Sequence, residues 1–305
     1  MSRASLRLRL LAALVLTTVV AACSADPGWP PEQTNFELAP VPVNQEIAVG
    51  ENRLLFNVLD RQNQSIASAE TSLSLRFFDL AASRTQPAAE ADGAYMDILP
   101  GRPGLYRAEV NLTTAGEWGV EATATQAGAA TRMGRFVFTV REASTTPPIG
   151  QPAPASDTPT ASTPDEIRNI STDDDPDPDF YRESVASAIA AREPFAVVFA
   201  TPAFCRTATC GPALDVVKSA ASEFKGRMEF IHVEPYELEI VDGSLQPVLS
   251  DQNLPVSVPA TNEWGLPTEP YIFVVDAQGN VSAKFEGIAA VDELRVAFEE
   301  VAQPA

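Results

Sequence analysis

The chain is poor in sulfur, imidazole and positive charge. Its 305 residues hold three cysteines, four methionines and one histidine. Twenty-one basic residues stand against 41 acidic ones, a net charge of -20, with a pI near 4.4. Such an excess argues against nucleic acid or an anionic lipid surface as a partner, because both are polyanions. Long apolar runs are also missing: after Leu10 to Val20 no stretch of about 18 apolar residues remains that could span a bilayer as a helix. The first half of the chain beyond residue 23 holds no cysteine, no histidine and no conspicuous carboxylate cluster.

What is present begins at the N-terminus. Arg3, Arg7 and Arg9 precede the short apolar stretch Leu10 to Val20, the pattern of an export signal rather than of a membrane span. It closes on Val20-Ala21-Ala22-Cys23, which resembles the lipobox of bacterial lipoproteins. That resemblance implies removal of residues 1–22, a lipid on Cys23, and an extracytoplasmic protein anchored to the membrane. Ser24 after the cysteine resembles the pattern of lipoproteins sent to an outer membrane. In an oxidising compartment an odd cysteine is a liability. A lipid on Cys23 would leave Cys205 and Cys210 as a pair.

Residues 23–42 are polar and proline-rich, as a tether would be. Over 43–142 apolar residues recur at period two: Leu54, Phe56 and Val58; Leu73, Leu75 and Phe77; Tyr106, Ala108 and Val110; Trp118, Val120 and Ala122; Phe136, Phe138 and Val140. Half-buried strands joined by turns follow from that period, and their number leads to an all-β sandwich of immunoglobulin-like type. Gly104-Leu105-Tyr106 and Gly116-Glu117-Trp118 resemble the close of YtkA-like immunoglobulin-type domains. Trp118 is expected in the core, and the domain is expected to be a spacer or binding module. Residues 143–179 hold eight prolines and end in the acidic run Asp173-Asp174-Asp175-Pro176-Asp177-Pro178-Asp179. Composition predicts a disordered, extended linker there. The run lacks the spaced ligands and glycine turn of a calcium loop.

From residue 180 helical and strand patterns alternate. Helices are expected over Tyr181 to Ala191, Pro212 to Phe224 and Asp292 to Val301. Strands are expected over Phe195 to Ala200, Met228 to Val233, Tyr271 to Val275 and Val281 to Phe285. This order, with Phe204-Cys205 after a strand, Cys210-Gly211-Pro212 opening a helix, Glu269-Pro270-Tyr271 before a strand and Asp276-Ala277-Gln278-Gly279 as a turn, resembles the thioredoxin fold. The expected fold class is thus multidomain: an immunoglobulin-like sandwich plus an α/β thioredoxin-like domain over 180–305. The resemblance implies thiol–disulfide exchange on exported proteins, with no cofactor and no metal. Cys205 would attack, Cys210 resolve, and Pro270 align the substrate. The chain departs from that family in having four residues between its cysteines rather than two. Anchoring on Cys210-Gly211-Pro212 would instead make Cys210 the nucleophile. Arg206 would add positive charge beside Cys205.

Other readings stay open at this level. The two cysteines also suit a structural disulfide, although so short a loop yields little entropic stabilisation. Thr201-Pro202-Ala203-Phe204-Cys205 resembles the peroxidatic loop of bacterioferritin-comigratory peroxiredoxins, with one residue too many. Two cysteines with His232 resemble the copper set of Sco-type chaperones, although a satisfied strand histidine fits His232 better. A purely binding lipoprotein is a further reading. The 236–262 insert suggests a lid or recognition loop, with Trp264 either lining a groove or packing.

Overall fold

The computed structural model describes residues 28–29, 37–98, 103–205 and 208–304. The signal segment, Cys23 and Arg206 lie outside the described residues. Seven strands come first: β1 (Leu38–Pro42), β2 (Gly50–Asp60), β3 (Thr71–Asp79), β4 (Ala89–Met96), β5 (Leu105–Leu112), β6 (Gly116–Gln126) and β7 (Arg132–Val140). They form one antiparallel sheet in the order β1-β2-β5-β4-β3-β6-β7. The alternation seen in sequence points one side of each strand inward. Phe56, Leu75, Phe77, Tyr106, Val120 and Trp118 are all buried there. Trp118 is a core residue whose indole Nε1–H donates to the Thr114 carbonyl at 2.9 Å. Tyr106 donates its hydroxyl to the Ser68 carbonyl at 3.0 Å.

The two edge strands of this sheet meet. The Glu37 amide donates to the Met133 carbonyl at 3.3 Å, and at Gly134 a Cβ would sit 1.8 Å from the Leu38 carbonyl oxygen. Only glycine lets the backbones of β1 and β7 approach so closely. The sheet is therefore rolled into a nearly closed barrel, which removes most of the exposed edge. Its first strand uses the end of the segment expected to be a tether.

After it come α1 (Pro164–Ile167), a 3-10 turn (Pro178–Tyr181), α2 (Val185–Ala191), β8 (Phe195–Phe199), α3 (Cys210–Ala221), β9 (Glu229–Val233), the hairpin β10 (Leu238–Val241) and β11 (Ser244–Pro247), α4 (Pro259–Glu263), β12 (Tyr271–Val275), β13 (Val281–Glu286) and α5 (Val291–Val301). β13-β12-β8-β9 make a four-stranded sheet in which only β8 and β9 run parallel. β8 and β12 are buried along their whole length, as continuous apolar runs require. α3 and α5 cover one face through Leu214, Val217, Leu294 and Phe298. On the other face α2 and Trp264 pack over Phe195, Phe199 and Phe273.

The expected fold class is corrected on both counts. The first part is a single rolled sheet, where an immunoglobulin-like sandwich needs two facing sheets. Among the described residues strand outnumbers helix more than two to one, and the second sheet is mostly antiparallel. The α/β thioredoxin assignment therefore does not hold. Period-two alternation reports that a strand buries one face; it carries no information on whether that face meets a second sheet or its own curl.

The expected linker is also corrected. Residues 143–179 pack against the second sheet: Ala153, Ser156, Thr158, Ala161, Ile167 and Ser171 are buried. Thr158 accepts from the Val185 amide at 3.1 Å, and the Thr172 amide and hydroxyl both donate to Glu234, at 2.7 and 2.6 Å. The acidic run is tied down by α3 and the turn after it: Lys218 pairs with Asp173 at 2.9 Å, and Lys225 with Asp177 and Asp179 at 2.8 and 2.7 Å. These tertiary partners supply the enthalpy that composition alone could not reveal.

A buried polar cluster joins the rolled sheet to the rest. Glu46 accepts from the Thr145 amide and from the hydroxyls of Ser144, Thr145 and Thr146, with Lys284 at 3.7 Å. Arg53 and Arg107 on β2 and β5 both reach Glu293 in the first turn of α5, at 2.7 and 2.6 Å.

Candidate functional site

β8 delivers the chain, wholly buried through Ala200 and Thr201, to the loop that carries Cys205. The Ala203 amide of that loop donates to Thr172 at 3.2 Å, so the 143–179 segment helps hold it. α3 then begins at Cys210. The first amides of a helix have no partner within it, and the Thr209 side chain makes no capping bond here. Instead the Cys210 amide donates to Cys205 Sγ at 3.3 Å. One sulfur thus sits at the positive end of α3, where negative charge is stabilised.

The two sulfurs differ in setting. Cys205 is partly exposed, Cys210 is fully buried, and no disulfide joins them. The Cys210 thiol is held far above its ordinary range. Its hydrogen bond to Cys205 is the main cause and burial the next, with a backbone contact from Thr201 working the other way.

The loop before β12 closes the site. Glu269 and Pro270 are joined by a cis peptide bond, and a Glu269 carboxylate oxygen lies within 4.8 Å of both sulfurs, which are themselves no farther apart. Tyr236, at the base of the β10–β11 hairpin, donates its hydroxyl to Glu269 Oε2 at 2.8 Å. Burial and then that carboxylate push the Tyr236 hydroxyl upward, so it stays a donor at neutral pH.

Of the sequence-predicted residues, Cys205, Cys210 and the Pro270 loop come together. His232 does not join them. Its Nε2 meets the Ala200 carbonyl at 3.0 Å and its Nδ1 the Tyr181 hydroxyl at 2.9 Å, a satisfied buried histidine with both nitrogens engaged. Trp264 packs fully buried between Phe199 and Phe273 and donates to Ser156 at 3.2 Å; it lines no groove. The 236–262 insert is a hairpin followed by a short helix, its strand residues Ile240 and Val241 exposed. Sequence reasoning missed Glu269 and Tyr236 as site residues. The one available signal was that Glu269 directly precedes Pro270.

Neither a family model nor a curated protein matches the chain. Among solved structures, an uncharacterized Listeria monocytogenes protein, determined with glucose, magnesium and calcium, is 13% identical over 33% of this chain with a TM-score of 0.24. The chain spans only 9% of that protein's length. A DUF4426 family protein from Pseudomonas aeruginosa is 7% identical, covering 31% of this chain and 76% of its own at a TM-score of 0.22. MtrC from Shewanella baltica is 12% identical, covering 51% and 29% at 0.24. Scores this low carry no argument about fold or function.

Proposed function

We propose that this is an extracytoplasmic protein, held to the membrane by a lipid on Cys23, that exchanges disulfides with exported proteins through Cys205 and Cys210. The observation that carries the reading is the division of labour at the mouth of α3: an accessible sulfur accepting the first helix amide, and a buried sulfur beside it. An accessible thiolate stabilised by a helix terminus is the nucleophile that exchange requires.

The steps balance in sulfur and charge. The Cys205 thiolate attacks one sulfur of a substrate disulfide, forming a mixed disulfide and releasing the other sulfur as a thiolate. Cys210 gives its proton to the released substrate thiolate and attacks Cys205 Sγ, which frees the second substrate sulfur and leaves a Cys205–Cys210 disulfide. Two electrons pass to the substrate, and the reverse sequence oxidises a dithiol. The Pro270 loop, brought to the sulfurs by Glu269, forms the wall against which a substrate backbone would lie.

An insulin-reduction assay with a chemical reductant tests the reading. Wild-type protein is expected to accelerate precipitation, and Cys205→Ser to abolish the effect. Consumption of peroxide in place of insulin reduction would move the function to a peroxidase. Inactivity in both assays would leave the pair a structural element.

A further inference from the structure

The same corner of the molecule gathers three metal-ligating groups from two distant stretches of chain. Cys205, Cys210 and Glu269 each offer one donor atom, all within 4.8 Å of one another. The set pairs two soft sulfurs with one hard oxygen. Thiolates disfavour calcium and magnesium, which take oxygen ligands, and a carboxylate disfavours copper(I). The imidazole that would suit copper is committed elsewhere, on Ala200 and Tyr181. We infer that the reduced Cys205–Cys210 pair, with Glu269, is a binding site for one zinc(II) ion.

Size agrees with this assignment. Tetrahedral zinc, with sulfur at about 2.3 Å and oxygen at about 2.0–2.2 Å, sets its donors roughly 3.4–3.8 Å apart. The present limit of 4.8 Å exceeds that by about 1 Å, within the reach of side-chain rotation at a partly exposed cysteine. Tyr236 supplies the outer hydrogen bond that orients a ligating carboxylate. Three protein ligands leave the fourth position to water, which reaches the ion past Cys205. On binding, two thiol protons leave, the carboxylate keeps its charge, and no electron moves. The disulfide form offers no thiolate and holds no zinc.

This inference shares the reduced pair with the proposed exchange and needs no exchange activity. Its test is zinc(II) titration of the reduced full chain against a chromophoric chelator, with cobalt(II) as a spectroscopic stand-in. One equivalent is expected to bind, with thiolate-to-cobalt charge transfer, and the oxidised protein is expected to bind none. Cys205→Ser and Cys210→Ser should each weaken binding by about 100-fold or more. Glu269→Gln should weaken it by about tenfold or more, and Tyr236→Phe, which leaves all three ligands in place, by about 10- to 100-fold. Absence of stoichiometric binding overturns the site, as does affinity unchanged in both Glu269→Gln and Tyr236→Phe. Insulin reduction by metal-free protein reads the exchange separately. Zinc bound without turnover sinks only the exchange, and turnover without zinc binding sinks only the site.

Discussion

At the scale of single residues, the contrast between the two sulfurs decides the chemistry. Cys205 meets solvent and accepts a helix amide, while Cys210 is buried and its thiol is pushed upward by the hydrogen bond to Cys205 and by burial. Rate follows thiolate character and access together. Reduced protein treated with iodoacetamide at neutral pH should therefore alkylate at Cys205 at least about tenfold faster than at Cys210, as read by peptide mass spectrometry. Equal rates would contradict the asymmetry. The pair was legible in the sequence because the three cysteines are so few and two of them flank a helix start. Glu269 was not, since its approach to the sulfurs comes from the pairing of β12 with β8, some 70 residues apart in the chain. His232 was legible as a satisfied histidine from its place in the strand Ile231-His232-Val233, but its partners were not. Its two partners lie on segments 32 and 51 residues away.

At the scale of elements, β2, β3, β5, β6 and β7 and the strands Phe195–Phe199, Glu229–Val233, Tyr271–Val275 and Val281–Glu286 followed from period and apolar runs, whereas β4 carried no such run. How the strands assemble did not follow. The seam between β1 and β7 rests on Gly134, where an added Cβ would overlap the Leu38 carbonyl. Backbone cannot yield as a flexible side chain can, so Gly134→Ala should destabilise the rolled sheet by about 1–3 kcal/mol or more, measured by urea unfolding. A midpoint unchanged from wild type would show that the seam is not closed. The 143–179 segment was misread for a related reason. Proline and aspartate content measures what a segment can bury by itself, whereas this one is ordered by Glu234, Lys218 and Lys225, all of them far along the chain.

At the scale of the whole molecule, the rolled sheet and the four-stranded sheet are joined through ionic groups rather than through apolar surface alone. Glu46 is the centre of that junction. Burial raises its pKa, but the hydrogen bonds of Thr146, Thr145 and Ser144 outweigh burial and bring it from an ordinary 4.5 to about 2. Because the folded-state value is depressed, the stability it contributes is fully present above about pH 5 and is lost as pH falls from there toward 2. A depression of that size corresponds to about 3–4 kcal/mol at full strength, and to less once solvent screening is included. Glu286 nearby moves the opposite way, raised mainly by burial, so its protonation on acidification offsets part of the loss. Glu46→Gln is expected to lower stability at pH 7 and to flatten its fall between pH 5 and 2, followed by thermal unfolding across that range. A variant that keeps the wild-type acid slope would show that Glu46 does not govern it. None of this junction was visible in sequence, where Glu46 and Thr145 lie 99 residues apart.

The central claim, that Cys205 is the sulfur which attacks, is tested most directly by trapping. Cys210→Ser removes the resolving step, so incubation with an oxidised peptide should accumulate a mixed disulfide that mass spectrometry places on Cys205. Cys205→Ser under the same conditions should accumulate none on Cys210. A mixed disulfide carried by Cys210, or none on either residue, would contradict the account.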